Sequence, residues 1–352
     1  MFQTIEKQGY YLIAEIGVNY YDIASKYNIS NLEAAKLMCK EAKEAGADAV
    51  KFQTYKAGKI ASKYSPSYWD LDEEATSSQY ELFKKYDLFG YTEYKILSDY
   101  CKSISVNFLS TPFDFEAADF LYELMDYYKI SSSDITNKPF IEYIAKKNKP
   151  ILLSTGASTL EEVYAAVDLI RKNNDKQLVL LHCVLEYPTP YEHAVLNHIS
   201  ILKHKFPDAI IGYSDHTKPE NDFCVLSTAY NIGARVIEKH FTLDKTLVGN
   251  DHYHAMDTHD IIMIKNKLDY INTICGSNSF EFGEGEIPAR NNARRSIVAS
   301  HDIMAGEVIS INDITFKRPA HGISPSNIDM VIGKTAANDI LEDSPIYMKD
   351  IL

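Results

Sequence analysis

Eight short apolar segments alternate with longer segments of helical periodicity, and this alternation constrains the fold more than any other feature. Each segment is nearly continuous in apolar residues, which is typical of parallel strands buried on both faces. The pattern predicts an α/β protein, a TIM (β/α)8 barrel. An open doubly wound sheet is the alternative, but its first turn should be rich in glycine, and "EIGVNYYD" is not. The segments are "YLIAEIG" from Tyr11, "AVKFQTY" from Ala49, "VNFLSTPF" from Val106, "YYKISSSD" from Tyr127, "PILLSTG" from Pro150, "LVLLHCV" from Leu178, "AIIGYSD" from Ala209 and "RVIEKHFT" from Arg235.

Two of the intervening segments carry clear helix signals. "SNLEAAKLMCKEAKEAGA" offers Ser30 or Asn31 as its N-cap and ends near Gly46, a residue type that commonly follows a helix. "STLEEVYAAVDLIRKNN" begins at Ser158 or Thr159 and has two glutamates in its first turn, where acidic side chains suit the helix dipole.

The pattern changes after Cys275, which predicts a second domain. Residues 276–295 are rich in Gly, Asn, Ser and Glu and have no periodicity, so they are interpreted as a linker. The barrel is then expected over residues 1–275. Short β-like pieces ("SIVAS", "EVIS" and "ITFKRP") predict a small β-rich module over residues 296–352, which would be only marginally stable alone.

Composition excludes several classes of function. The net charge of −13 argues against nonspecific nucleic-acid binding, which needs basic surfaces. The five cysteines are scattered without C-x-x-C spacing, so neither a disulfide framework nor a zinc ribbon is expected. No apolar run approaches the length of a membrane span and no secretory signal is evident, so a cytoplasmic location without membrane contact is expected.

Polar side chains end the predicted strands. The carboxyl ends of all strands in a parallel barrel meet at one face, so His216 and His240, at the ends of strands seven and eight, should be neighbours. Two neutral imidazoles suit a divalent first-row metal ion and leave room for water and substrate. Either histidine alone would be interpreted as an ordinary core residue. Their paired positions favour a metal site.

Two lysines inside apolar strands, Lys51 and Lys129, indicate an anion site because a buried lysine is costly unless it has a partner. A ring of hydroxyls surrounds them, each of which has a turn or cap as its simpler explanation. Together they suit a small ligand with phosphate and carboxylate groups. The other polar strand-end residues are Gln53, Thr54, Ser110, Thr111, Ser131, Ser132, Ser133, Asp134, Ser154, Thr155, Tyr187 and Ser214.

Three further features of the sequence can each be interpreted in two ways. Glu15 and Asp134 are the best carboxylates for proton transfer. Either could instead be a salt-bridge partner of the lysines, and this second explanation is preferred for Glu15. "NDHYHAMDTHD" from Asn250 has metal-like H-x-H spacing, but such loop residues also bind polar ligands or cap helices. Residues 56–90 are too long for an ordinary loop and form either a packed surface excursion or a cover over the site.

Ten segments, in order over nearly the whole chain, resemble the sialic acid (N-acetylneuraminate) synthase family. The resemblance implies a TIM barrel followed by an antifreeze-like (SAF) domain. It also implies condensation of phosphoenolpyruvate with an N-acylated amino hexose to give a nine-carbon 2-keto sugar acid and phosphate. The segments are "AEIGVN", "GADAVKFQT", "STPF", "YKISSSD", "PILLSTGAS", "LLHCVLEYPTPY", "DAIIGYSDHT", "IEKHFT", "GNDH" and "KRPAHGISP".

The resemblance also implies roles for particular residues. His216 and His240 match ligands of a divalent metal, Mn2+ first, with Mg2+ or Co2+ as alternatives. Asp134 is the candidate for proton transfer. Positions matching contacts to phosphoenolpyruvate are Lys51, Thr111, Lys129, Ser132, Ser154 and Ser214, and positions matching contacts to the sugar are Gln53, Tyr187, Asp251 and, from the small domain of a partner chain in a domain-swapped homodimer, Arg318.

Three departures from the family pattern leave the sugar open. The pattern has Glu at Asp134 and Asn at Leu185, and "YYDIASKYNIS" replaces a His-and-Gly continuation after "GVN". N-acetylmannosamine is the first candidate acceptor, and a bacillosamine-derived hexose, giving a legionaminate or pseudaminate, is the alternative. A metal aldolase or hydrolase would not need both lysines. A non-catalytic sugar-binding protein would not need the lysines and histidines together.

Overall fold

The eight predicted strands form one parallel sheet in the computed structural model, which describes residues 1–69, 71, 74–249, 251–277 and 279–352. Neighbouring strands follow the order β3-β2-β1-β8-β7-β6-β5-β4, and β3 lies beside β4, so the sheet closes on itself. The predicted TIM barrel is confirmed. The strands are β1 (Tyr11–Gly17), β2 (Ala49–Thr54), β3 (Asn107–Pro112), β4 (Tyr128–Ile130), β5 (Ile151–Ser154), β6 (Leu178–Cys183), β7 (Ile210–Asp215) and β8 (Val236–His240).

Helices connect the strands, and both helices predicted from their caps are confirmed. Ser30 and Glu33 form a capping box at the start of α3, and Thr159 with Glu162 does the same for α9. The helices are α1 (Phe2–Gln8), α2 (Tyr20–Tyr27), α3 (Asn31–Ala45), α4 (Ala57–Ile60), α5 (Gln79–Lys85), α6 (Tyr91–Ser103), α7 (Phe115–Leu121), α8 (Lys138–Ala145), α9 (Leu160–Asn173), α10 (Asn197–Lys205), α11 (Cys224–Ile232), α12 (Thr258–Cys275) and α13 (Ile287–Ala293).

Strand register determines which polar side chains become neighbours. Glu15 on β1 pairs with Lys51 on β2 and with His240 on β8, so it stands between a lysine and a histidine. Ser214 on β7 pairs with Glu238 on β8. Because side chains alternate along a strand, Glu238 and His240 share one face of β8.

Lys239 points to the opposite face of β8 from Glu238 and His240, and there it forms a buried ion pair. Its Nζ lies 2.7 Å from Oδ2 of Asp215, and both side chains are at most 2% exposed. Asp215 also accepts hydrogen bonds from the Tyr213 hydroxyl at 2.9 Å and the Thr217 amide at 2.9 Å. This pair therefore joins β7 to β8 on the side away from the lysines of the barrel interior.

The chain divides into two units, Met1–Gly276 and Ser277–Leu352. In the second unit β9 (Ser296–Ala299) pairs antiparallel with β10 (Ile314–Lys317) over a separate apolar core. The piece "EVIS" was expected as a strand but makes only an isolated bridge, from Val308 to Thr335. Helix α13 lies within residues 276–295, where irregular structure was expected, and Pro288 in its first turn favours that start.

All five cysteines are unpaired, including Cys39 and Cys101, whose sulfurs lie 3.7 Å apart in the core. Among the described residues, no helix combines the length and apolar character that crossing a membrane requires.

Candidate active site

Four buried charged residues meet at the carboxyl ends of the strands. Lys51 Nζ lies 2.6 Å from Glu15 Oε2. Glu238 Oε1 lies 3.8 Å from Lys51 Nζ and 3.6 Å from Lys129 Nζ, so it stands between the two lysines. Both lysines were predicted from the sequence to lie in this site, and Glu15 was considered as a salt-bridge partner for them. The structure brings all of them together.

Hydroxyl groups complete the lining of this inner cavity. Thr111 Oγ1 accepts a hydrogen bond from Lys51 Nζ at 3.2 Å, and Ser214 Oγ donates to Glu238 Oε1 at 2.9 Å. Ser154 Oγ is buried and has no hydrogen-bond partner in the described part of the chain. The predicted residues that line the cavity are Lys51, Gln53, Thr111, Lys129, Ser132, Ser154, Tyr187, Ser214, His216 and His240.

Burial and mutual charge shift the pKa values in this network. Burial raises the pKa of Glu15, although Lys51 opposes the shift. Burial also lowers the pKa of Lys129, with Glu238 acting against it. For Lys51 the balance is reversed, because Glu15 and Glu238 outweigh burial and raise the pKa of its amine. The two lysines thus stand in different electrostatic environments a short distance apart.

Three histidine rings form a cluster beside the lysines. The ring centres of His216 and His240 lie 5.6 Å apart, and His254 lies 5.0 Å from His240 and 6.3 Å from His216. His216 Nδ1 lies 2.7 Å from the carbonyl oxygen of Val184. A carbonyl only accepts, so Nδ1 carries the hydrogen and Nε2 keeps its lone pair.

Burial keeps these histidines neutral near pH 7. It lowers the pKa of His216 to about 4 and lowers the pKa of His240 and of His254 well below the ordinary range. The neighbouring histidines add to the shift at His240, since each positive charge would repel the next. Neutral imidazoles are the form that binds metal ions.

A second cavity adjoins the histidines. Asp251 lines it, and burial, reinforced by Glu15, raises the pKa of this carboxyl to about 7. Its oxygens lie 3.8 Å from His240 Nδ1 and 4.0 Å from His254 Nε2. The other lining residues are Val18, Asn19, Asp22, Gln53, Tyr55, Tyr68, Leu82, Phe83, Tyr86, Tyr187 and His240.

Residues 56–90 contribute Tyr68, Leu82, Phe83 and Tyr86 to this cavity, which favours the interpretation as a cover. The first eight residues of the "YYDIASKYNIS" segment form α2. The hydroxyl of Tyr21 in this helix accepts hydrogen bonds from the amides of Leu88 at 3.1 Å and Phe89 at 3.2 Å. The departure from the family pattern therefore supports the same cover.

Two predicted residues are not part of the inner cavity as described: Asp134 lies outside its lining, and Arg318 belongs to the second unit. Asp134 borders an adjoining outer cavity with Asn137, whose amide donates to it at 3.0 Å, and burial raises its pKa. Leu185 lines both the inner and the outer cavity. Arg318 lies in the second unit, exposed, directly after β10. Asn250, at the start of the histidine-rich segment, is outside the described residues.

Glu238 and His254 belong to this site but were not predicted from the sequence as site residues. Alternation along β8 was a usable signal for Glu238, because a position two residues from His240 shares its face. In the H-x-H pair, only His254 enters the histidine cluster. His252 is held by Thr242 Oγ1 at 2.8 Å and Asp22 Oδ2 at 3.1 Å. The conformation of the loop places His252 and His254 in different surroundings, and their spacing in the sequence does not reveal this difference.

The fold and this site define a TIM-barrel protein with two buried lysines and a histidine cluster at its strand ends. The chain belongs to the NeuB family, which it matches over residues 38–279, and residues 294–352 match the SAF domain. The resemblance read from the sequence is thereby confirmed.

Relatives and solved structures agree with this membership. The chain is 37% identical to N,N'-diacetyllegionaminic acid synthase of Legionella pneumophila, covering 97% of this chain and 94% of that one. It is 30% identical to N-acetylneuraminate-9-phosphate synthase of Drosophila melanogaster, covering 97% and 96%. A structure of a putative spore coat polysaccharide biosynthesis protein E from Chromobacterium violaceum covers 97% of this chain and 99% of its own, with a TM-score of 0.81 at 22% identity, and shows the shared fold.

Proposed function

We propose that this protein is a nonulosonate synthase that condenses phosphoenolpyruvate with an uncharged N-acylated amino hexose in its aldehyde form. The products are a nine-carbon 2-keto sugar acid and inorganic phosphate. One observation carries the proposal: a buried cavity with two lysines adjoins a cluster of neutral histidines, and both open at the strand ends of a NeuB-family barrel.

The inner cavity suits phosphoenolpyruvate. Lys51 and Lys129 supply two ammonium groups for its phosphate and carboxylate, and Thr111, Ser132, Ser154 and Ser214 supply hydroxyls. The Ser154 hydroxyl supports this assignment, because it is buried without a partner among the described residues, and such a hydroxyl calls for a ligand.

The histidines fit the divalent ion, Mn2+ first, that the family resemblance implied. His216 has a free Nε2 lone pair, and His240 Nδ1 is buried without a hydrogen-bond partner among the described residues. His216 and His240 would hold the ion. When bound, it would supply Lewis-acid polarisation of the sugar aldehyde oxygen.

The residues position the reacting groups. Carbon–carbon bond formation joins the methylene carbon of phosphoenolpyruvate to the aldehyde carbon, and leaves positive charge on the enol carbon and negative charge on the aldehyde oxygen. Water adds to the enol carbon, and phosphate then leaves with its bridging oxygen, which gives the 2-keto acid. Of the two protons that water brings, one ends on the former aldehyde oxygen and the other on phosphate. Lys51 and Lys129 orient the carboxylate and phosphate throughout. Asp134 is the candidate for proton transfer and Gln53, Tyr187 and Asp251 for contacts to the sugar.

The second cavity, which Asp251 lines, is the proposed site of the acceptor sugar. Its lining favours a sugar without a phosphate group. Within the described residues of the barrel unit, its lining includes Asp22 and Asp251 and no lysine or arginine. A phosphorylated sugar would meet these carboxylates without a compensating cation. N-acetylmannosamine and a diacetylated, bacillosamine-derived hexose are both uncharged. The 37% identity to a legionaminic acid synthase favours the second.

Incubation with phosphoenolpyruvate, Mn2+ and a panel of hexoses tests the proposal. The panel contains N-acetylmannosamine, its 6-phosphate and a 2,4-diacetamido-2,4,6-trideoxyhexose. Phosphate release is expected with the uncharged sugars, and the 6-phosphate should have a kcat/KM at least about tenfold lower because it lacks a cationic partner. Preference for the 6-phosphate would contradict the uncharged acceptor, and no phosphate release with any sugar would contradict the synthase.

A further inference from the structure

His254 is a buried histidine with no role in the site described so far. Its side chain is 0% exposed, and neither ring nitrogen has a hydrogen-bond partner among the described residues. The nearest carboxylate oxygen, Asp251 Oδ1, is 4.0 Å from Nε2, which is beyond hydrogen-bonding distance. Buried polar groups are almost always paired, so an imidazole left with two unpaired nitrogens points to a ligand that completes it.

The surrounding backbone holds His254 in place. Met256, two residues later, pairs with the end of β8: its amide donates to the His240 carbonyl at 2.7 Å, and its carbonyl accepts from the Thr242 amide at 2.9 Å. His252, two residues earlier, is fixed by its bonds to Thr242 and Asp22. The residues on both sides of His254 are thus fixed, and its ring lies in one cluster with the rings of His216 and His240.

The ring spacings suit one shared ion. A metal–nitrogen bond of about 2.1 Å places an imidazole centre about 3.2 Å from the ion, so centres of two bound rings lie between about 4.6 Å at right angles and about 6.4 Å on opposite sides. The three observed spacings, 5.0, 5.6 and 6.3 Å, all fall within that range. His240, Asp251 and His254 also bring potential ligand atoms within 4.8 Å of one another.

We propose that His254 is a third protein ligand of the divalent ion, beside His216 and His240. This inference rests on the metal site of the proposed function. Three imidazoles make a more nitrogen-rich site than two, and imidazole favours later first-row ions such as Co2+ over Mg2+ and Mn2+. The third histidine is therefore expected to change which metal ion the site prefers, as well as how tightly the site binds that ion.

The test measures metal binding directly, without turnover. Protein freed of metal by EDTA is titrated with Co2+, Mn2+ and Mg2+, and pulsed electron paramagnetic resonance of bound Mn2+ counts the coordinated imidazole nitrogens. The wild-type chain is expected to show three such nitrogens. His254→Ala should show two and should bind Co2+ at least about tenfold more weakly, with a smaller loss for Mg2+.

Two comparisons show whether His254 binds the metal ion or has only a structural role. His252→Ala, in the same loop, should retain all three nitrogens because its ring already has protein partners. In EDTA the loss of a fully buried ring leaves a cavity in His254→Ala, so the metal-free melting temperature of each protein is the reference for its own metal response. The rise in melting temperature on adding Co2+ should be smaller than in the wild type.

The outcomes distinguish this inference from the proposed function. If the wild type binds an ion that His216→Ala loses, while His254→Ala keeps the same affinity and nitrogen count, His254 is not a ligand and the two-histidine site stands. If the wild type binds none of the three ions, both the third ligand and the metal site itself are wrong.

Discussion

Lys51 and Lys129 differ at the scale of single residues, although both line the same cavity. Lys51 is bound to Glu15 at 2.6 Å, so replacing it would leave a buried carboxylate without its closest cation. Lys129 faces Glu238 at 3.6 Å, and Glu238 retains Lys51 and Ser214 as neighbours if Lys129 is lost. Lys129 is therefore the cleaner position at which to test anion binding.

Lys129→Met is expected to raise the KM for phosphoenolpyruvate about ten- to a hundredfold, through loss of one charge-assisted contact worth about 1.5–3 kcal/mol. The KM for the sugar should change far less. Steady-state kinetics with each substrate varied in turn measures both. The control is the double variant Asp215→Asn/Lys239→Met, which removes a buried lysine from the face of β8 that points away from the cavity. An unchanged KM for phosphoenolpyruvate in folded Lys129→Met would show that this lysine is structural.

At the scale of elements, strands were more predictable than loops. Continuous apolar runs identify strands buried on both faces, and Ser30 and Thr159 identify helix starts through a local capping preference. The position of His254 depends on how residues 251–257 fold back on β8, and no local pattern encodes that. Helix α13 was missed because its surroundings are rich in glycine and polar residues.

The pair between β7 and β8 yields a prediction about stability. Lys239→Met should lower the free energy of unfolding by about 3–5 kcal/mol, because Asp215 would remain buried and charged without its cation. Adding Asp215→Asn should recover part of that loss, since Asn keeps an acceptor for the Thr217 amide. Chemical denaturation of both variants provides the comparison. A double variant less stable than Lys239→Met would contradict this account of the pair.

At the scale of the whole molecule, the barrel and the SAF domain follow from the sequence, while the assembly stays a prediction. The family resemblance implied a domain-swapped homodimer in which Arg318 reaches the partner's sugar site. Arg318 is exposed on the second unit. A guanidinium offers several donors in a fixed plane, which suits an acyl carbonyl.

Mixing inactive subunits tests the swap. His216→Ala and Arg318→Ala chains are dissociated, mixed and reassociated, with exchange confirmed by native mass spectrometry. If Arg318 acts on the partner's site, each mixed dimer has one intact site, and random pairing restores roughly a quarter of wild-type activity. If Arg318 acts within its own chain, both sites of every mixed dimer are damaged and no activity returns.

The central claim is that this barrel forms a carbon–carbon bond between phosphoenolpyruvate and an uncharged amino hexose. The most direct measurement is mass spectrometry of the product formed from phosphoenolpyruvate labelled with 13C at all three carbons, alongside the amount of phosphate released. The account predicts a nine-carbon keto acid that carries all three labelled carbons, in equal amount to the phosphate. Release of phosphate with labelled pyruvate and no labelled sugar acid would contradict it.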